Sequence, residues 1–401
     1  MGMVKNTAVT ALNSLPGKIK NKILRASDLA SLVLRDDLHV SSSIRQRERG
    51  EFEKWVEQDK RGVALNKEVL GRIVDSYISA KKEQIPVKEA YLPAETWARL
   101  LDENWRPFND AISNRRIDEA ADYLSGFFRN EYLSGIWGGQ DNFGHFKNLD
   151  AVGQANNFAR FRQKHLTWRS FLPDTPLSEL DIPLIGQPWG YRINEINLHL
   201  LSHEYHYEAY NLARLVKDHS RPVVLEIGGG FGGLAYYLKR NNQDITYVGL
   251  DLPENIALQT YYLSHSFPES RILTFSGEME KSIDLETLKI YDFILLPNFC
   301  ISWFPEESVE VIVNINSFSE MSMATIVEYF KYIDVIGGLY LYHQNLFTGR
   351  LDGHYGIPMQ EFPELQNFRT VFEANNRWQD EIRSSYKTRE NLLIRIDKLK
   401  P

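Results

Sequence analysis

The residues best suited to chemistry form one run, Glu226-Ile-Gly-Gly-Gly-Phe-Gly-Gly233. It follows the aliphatic stretch Val223–Ile227, which predicts a buried strand, and it leads into Leu234–Arg240, which predicts a helix. Glycines at such a junction let the chain turn tightly and let a ligand approach the backbone. The helix start adds free N–H groups and the positive end of its dipole. An acid, Asp251, closes the next predicted strand, where a carboxylate can hydrogen-bond the ribose hydroxyls of a nucleoside cofactor. Two cofactor classes fit these glycines. Gly228, Gly230 and Gly233 have the spacing of a dinucleotide turn, whereas Glu226 with Gly228, Gly230 and Gly232 has that of an S-adenosylmethionine turn. Glu226 separates the two, because a carboxylate there can position the loop and a methionine ammonium group but repels a pyrophosphate. The expected cofactor contacts are Glu226, Gly228, Gly229, Gly230, Gly232 and Asp251, with Asn298 at the end of strand 292–297 bordering the adenine. In another register, 271–276 becomes the third strand and Asn298 moves towards the acceptor. An NAD(P)-dependent oxidoreductase built on the same turn is the alternative reading.

A second set of polar residues lies at the ends of later strands. Val309–Asn316 predicts a strand followed by Ser317-Phe-Ser-Glu-Met321, and Leu339–Asn345 predicts another after Gly337-Gly338. In an open α/β sheet, ligands bind outside the carboxyl ends of the strands. Ser317, Glu320, His343 and Asn345 are thus expected on the same rim as the glycine turn. Methyl transfer to a hydroxyl needs a base. His343 is the first candidate and Glu320 the second, Glu320 having a helix cap as its plainer role. Ser317 and Asn345 are expected to contact substrate. A helix expected over 196–216 carries His199, His203, His206 and Tyr210 on one face. Its leucine stripe includes Tyr205. The histidine face could hold a metal or line the acceptor pocket through His203 and Tyr210. A solvated polar face is the commoner use of such spacing, so no metal site is assigned.

The segments Glu226–Gly233, Asn314–Met321 and Tyr340–Asn345, with a weaker echo in Phe127-Phe-Arg-Asn-Glu-Tyr132, resemble the sugar O-methyltransferases of bacterial polysaccharide clusters. The resemblance covers roughly residues 190–350, and its distinctive part is Ser317–Met321. It implies S-adenosylmethionine as donor and a nucleotide-linked or glycan-bound sugar hydroxyl as acceptor, without naming the sugar. A catalytically silent assembly partner with the same fold is a further alternative.

These elements imply a Rossmann-like, doubly wound and mostly parallel sheet over 196–401. Before it, 61–195 reads as a mainly helical, acceptor-side cap with long loops, and 1–60 as a helical arm. Leu15–Leu34 in that arm could pack on its own domain or lie on a membrane surface. The 401 residues carry 46 Lys and Arg against 53 Asp and Glu, a net charge of -7, which argues against a nucleic-acid partner. The single cysteine, Cys300, excludes an internal disulfide and suits a reducing cytoplasm. No apolar run is long enough for a transmembrane span. A homo-oligomer is compatible with all of this.

Overall fold

The computed structural model describes residues 52–57, 66–133, 135, 142–242, 244–349, 356–378 and 386–399. The Leu15–Leu34 segment and the Gly138-Gly139 loop lie outside the described residues. The first half is helical, as its periodicity predicts. Helices α1 (Lys67–Gln84), α2 (Glu95–Glu103), α3 (Arg106–Ser113), α4 (Ile117–Ser125), α5 (Phe143–Asn148) and α6 (Ala151–Phe171) follow strand β1 (Glu53–Trp55). Asn66 starts α1 by accepting from the backbone N–H groups of Glu68 and Val69. Val69 and Ile73 then fall on the buried face.

The helix expected over 196–216 begins later. Residues Gly190–Ile193 (β2) and Ile196–Leu198 (β3) instead form a hairpin that pairs with β1. The hairpin turns through Asn194, whose φ of 53° suits a tight connection. Helix α7 runs from Ser202 to Leu215.

The second half is an eight-stranded sheet. Its strands are β4 (Val223–Ile227), β5 (Thr246–Asp251), β6 (Ile272–Thr274), β7 (Phe293–Pro297), β8 (Val309–Ile315), β9 (Gly337–Gly349), β10 (Phe368–Asn375) and β11 (Tyr386–Arg395). Their order is β10-β11-β9-β8-β4-β5-β7-β6, with β4 to β9 parallel and β10 and β11 joined as an antiparallel hairpin. β6 is a short edge strand, and β7 pairs directly with β5, so Asn298 follows the strand beside Asp251. Chain order reverses between β4 and β8, the switch point at which such sheets bind ligands.

Helices α7, α8 (Gly233–Asn241) and α9 (Pro253–Ser266) cover one face, and α10 (Leu285–Ile290) and α11 (Met323–Ile336) the other. No helix among the described residues is long and apolar enough to cross a membrane. The helical half shares the core of the first face. Phe127 and Phe128 stack at 4.5 Å and meet Phe231, inside the glycine run, at 5.9 and 5.1 Å. Gly186 sits at φ +75° against the Phe127 ring, where a Cβ would overlap it. Arg129, next in the sequence, donates to the backbone carbonyls of Val56, Glu57, Gln187 and Pro188. The Phe-Phe-Arg run thus fixes the helical half to the turn.

Because one core spans both halves, the described fold should unfold in a single transition. Phe127→Ala is expected to cost about 3–5 kcal/mol and to lower the melting temperature of both halves together. Two separated calorimetric transitions would contradict the shared core.

Candidate active site

The site starts from backbone geometry. Gly228, Gly230 and Gly232 have φ of 77°, 57° and 92°, the left-handed region that side chains disfavour. A Cβ at 228 would overlap Ser317 Oγ, and one at 229 would come within 2.9 Å of Glu226 Oε2. The turn is therefore bare because both its conformation and its neighbours require it.

Glu226 is buried beneath this turn, on the same sheet face as Tyr247, whose hydroxyl donates to Glu226 Oε2 at 2.6 Å. Burial pushes its carboxyl up to about 7, with nearby Asp251 adding to the effect. Asp251 holds the turn from the next strand. Its Oδ2 accepts from Gly230 N at 3.0 Å, while Oδ1 accepts from Leu252 N and Asn255 Nδ2 at 2.7 and 2.9 Å. Burial raises this carboxyl to about 6. Two desolvated carboxylates thus lie at one glycine turn, and each would be stabilised by a cation. Tyr205 packs over Gly233 and lies 5.9 Å from Phe231.

The residues expected on the rim separate into two groups. Ser317 Oγ donates to the Ile227 carbonyl at 3.1 Å, and Asn314 Nδ2 reaches the same carbonyl at 2.9 Å. Asn345 is fully buried. Its amide donates to Asn314 Oδ1 at 3.0 Å and its oxygen accepts from Ser319 N at 3.2 Å. These groups brace the turn from β8 and β9; Asn345 is enclosed in that network rather than open to a substrate. His343 lies behind them. It is buried on the opposite sheet face from Glu226, between the rings of Phe318 and Phe362 at 6.5 and 6.0 Å. Its ring lies 3.4 Å from the Asn345 amide, and burial lowers its basicity to about 4, so it is uncharged at neutral pH. Strand alternation explains this: Tyr342 and Gln344 face α7, which leaves His343 to face the side of α11.

Glu320 reaches the exposed rim. It closes a short 3-10 turn, Phe318–Glu320, and Ser322 rather than Glu320 caps α11 by accepting from Thr325 N. Trp97 of α2 donates its indole N–H to Glu320 Oε2 at 2.9 Å. Asn316, exposed beside it, holds φ 63° while its N–H donates to the Gln344 carbonyl. Asn298 is buried and donates to the Tyr91 carbonyl at 3.0 Å.

The histidine face of α7 is buried rather than solvated. His203 meets His165 at 3.0 Å, and Trp168 donates to His206 Nδ1 at 3.1 Å. Burial keeps His199 and His206 far from charged, at about 3 and 4, and lowers His203 well below its ordinary value. His203 thus packs under α6, away from solvent, because α6 covers this face of α7. Tyr210 is half-buried with Arg214 over its ring. The structure does not bring either residue to the glycine turn.

Sequence reasoning missed Tyr247, Asn255, Trp97 and Asn316. Tyr247 had a signal, an aromatic hydroxyl inside an aliphatic strand, and Tyr205 was hidden among leucines. Trp97 had none. It also missed a buried cluster beside α7, where Tyr342 OH lies 2.7 Å from Glu208 Oε2 and 3.0 Å from Glu390 Oε2. Arg377 pairs with Glu390, and the adjoining cavity measures about 370 Å³.

No family model and no curated protein matches this chain. Among solved structures it is similar to magnesium protoporphyrin IX methyltransferase from Synechocystis PCC 6803, at 11% identity and a TM-score of 0.31, over 49% of this chain and 81% of that one. It is also similar to geranyl diphosphate methyltransferase solved with SAM, at 9% identity and a TM-score of 0.32, over 48% and 85% of the two chains. A third is the PH0226 protein from Pyrococcus horikoshii OT3, at 12% identity and a TM-score of 0.31, over 48% and 91%. Likeness at this level says nothing of what this chain acts on.

The buried carboxylates make stability depend on pH. Burial raises Glu208 from 4.5 to about 7. Folding therefore favours its protonated form, and that contribution is complete below pH 4.5 and lost as pH rises through 7. Glu208→Gln should gain on the wild type by up to about 3 kcal/mol between pH 4.5 and 8 in denaturant titrations. A difference independent of pH would show that Glu208 stays ionised.

Proposed function

We propose that this chain is an S-adenosylmethionine-dependent O-methyltransferase that acts on a sugar hydroxyl. The observation that carries this reading is the pair of buried carboxylates, Glu226 and Asp251, at a turn in which Gly228, Gly230 and Gly232 hold left-handed conformations. A cofactor bearing an ammonium and a sulfonium charge offsets their desolvation, whereas a pyrophosphate adds to it. This favours the methyl donor over a dinucleotide. Glu226 and the turn suit the methionine end, and Asp251 suits the ribose.

S-adenosylmethionine supplies an electrophilic methyl group on its sulfonium, which an oxygen nucleophile can take by in-line attack. The chain's own residues then align the acceptor and remove its proton. Glu320 is the better base, because it stands exposed on the rim while His343 is enclosed between Phe318 and Phe362. Trp97 fixes one carboxylate oxygen of Glu320 and adds a flat apolar surface beside it. A carboxylate next to an aromatic ring suits a polyhydroxylated ring, which agrees with the sugar implied by the resemblance. Glu320 would hold the acceptor hydroxyl and take up its proton, while the bound donor would supply the methyl group and leave as the neutral thioether. In this reading, 61–195 is the acceptor-side cap of a catalytic domain at 196–401.

Calorimetric titration with S-adenosylmethionine and with NAD separates the cofactor classes; binding of NAD alone ends the proposal. Asp251→Ala should weaken S-adenosylmethionine binding at least about tenfold, the cost of roughly one lost hydrogen bond to a charged group. Affinity should also fall as pH drops from 8 to 6, because Glu226 takes up a proton near 7, and Glu226→Gln should flatten that slope. With an acceptor found from a panel of nucleotide sugars, Glu320→Gln should lower kcat by about a hundredfold and leave cofactor affinity intact. Unchanged turnover would remove Glu320 as the base.

A further inference from the structure

Resting on the methyl-donor reading, we infer that Gln84, on helix α1 of the helical half, joins Asn298 in recognising the hydrogen-bonding edge of the cofactor's adenine. Both side chains are buried, and each retains one polar atom without a partner among the described residues, Nε2 of Gln84 and Oδ1 of Asn298.

The orientation of each amide follows from its other contact. Lys81 donates to Gln84 Oε1 at 2.8 Å, and an ammonium can only donate, so Nε2 is the atom left over. Asn298 Nδ2 donates to the Tyr91 carbonyl, which can only accept, so Oδ1 is left over. Amide assignments are otherwise open to a flip, and here the partners exclude it. One donor and one acceptor therefore remain, and buried polar groups of this kind are seldom left unpaired.

Both residues are tied to elements next to the residue assigned to the ribose. Asp251 pairs in register with Pro297, so Asn298 stands one residue beyond Asp251's neighbour on the adjacent strand. Lys81, which holds Gln84, also donates to Glu254 Oε1 at 3.0 Å, and Glu254 lies three residues after Asp251. Ala80, Tyr91 and Phe299 belong to one buried apolar cluster. Adenine presents an amino donor at N6 and an acceptor at N1. The N6 amino group matches Asn298 Oδ1, and N1 matches Gln84 Nε2. Hypoxanthine reverses both, placing a carbonyl against Asn298 and an N–H against Gln84.

The test measures binding of S-adenosylhomocysteine and S-inosylhomocysteine to the full chain by calorimetry. Wild type should prefer the adenine compound by about tenfold or more, the cost of burying mismatched polar groups. Gln84→Met, checked for an unchanged melting temperature, should bind S-adenosylhomocysteine more weakly and lose most of that preference. Equal affinity of wild type for the two compounds overturns the inference without any variant and leaves the methyl-donor reading standing. A Gln84→Met protein that discriminates as well as wild type overturns the role of Gln84. Failure of wild type to bind either compound ends the methyl-donor reading itself.

Discussion

The carboxylate of Glu226, held out of water against a glycine-rich turn, sets the terms for the rest of the structure. Desolvating a carboxylate is costly unless donors surround it, and Tyr247 supplies the closest one. The turn cannot close over it with ordinary residues, because Gly228, Gly230 and Gly232 occupy left-handed conformations and Gly229 has no room for a Cβ. Asp251 adds a second desolvated acid from the neighbouring strand. The result is a corner that favours positive charge, formed at the switch point of the sheet where ligand binding is expected on topological grounds alone.

Much of the remaining architecture serves to keep that corner rigid. On one side, Asn314 and Ser317 converge on the Ile227 carbonyl, and Asn345 donates to Asn314 Oδ1, which holds the turn to β8 and β9. On the other, Phe231 projects from the turn into the aromatic cluster of Phe127 and Phe128. The helical half is thus a part of the same core, and its attachment point is the glycine run itself. Contacts from α1 and the segment after it reach α9 through Lys81 and Glu254, and Asn298 through the Tyr91 carbonyl. A site with this many rigid supports has the preorganisation that the proposed methyl transfer requires.

The different fates of His343 and Glu320 show why residue type alone does not assign a base. Both follow strand signals, and a histidine has the more suitable ordinary basicity. Yet His343 lies on the covered face of β9 between two phenylalanines, where burial keeps it neutral and closed to a substrate. Glu320 lies past the strand end on an exposed turn, with Trp97 orienting it. Access separates them.

What the sequence determined by itself was local and repetitive in its physics. Strand, glycine turn, helix and closing acid are written in adjacent residues whose conformational demands do not depend on distant partners, so Glu226, the glycines and Asp251 were legible. The alternation of strands and helices likewise announced a parallel sheet. What tertiary structure decided were matters of facing and meeting. Alternation says that His343 and Gln344 point to opposite sides, but only the helices that cover each face decide which is buried with what. The hairpin over 190–198 and the burial of the α7 histidines depended on β1 and α6, which lie far away in the chain. Trp97 meeting Glu320, 223 residues away, left no local pattern to read. Gln84, tied through Lys81 to Glu254 at the start of α9, is of the same kind: an ordinary polar residue near a helix end with no local pattern to mark it.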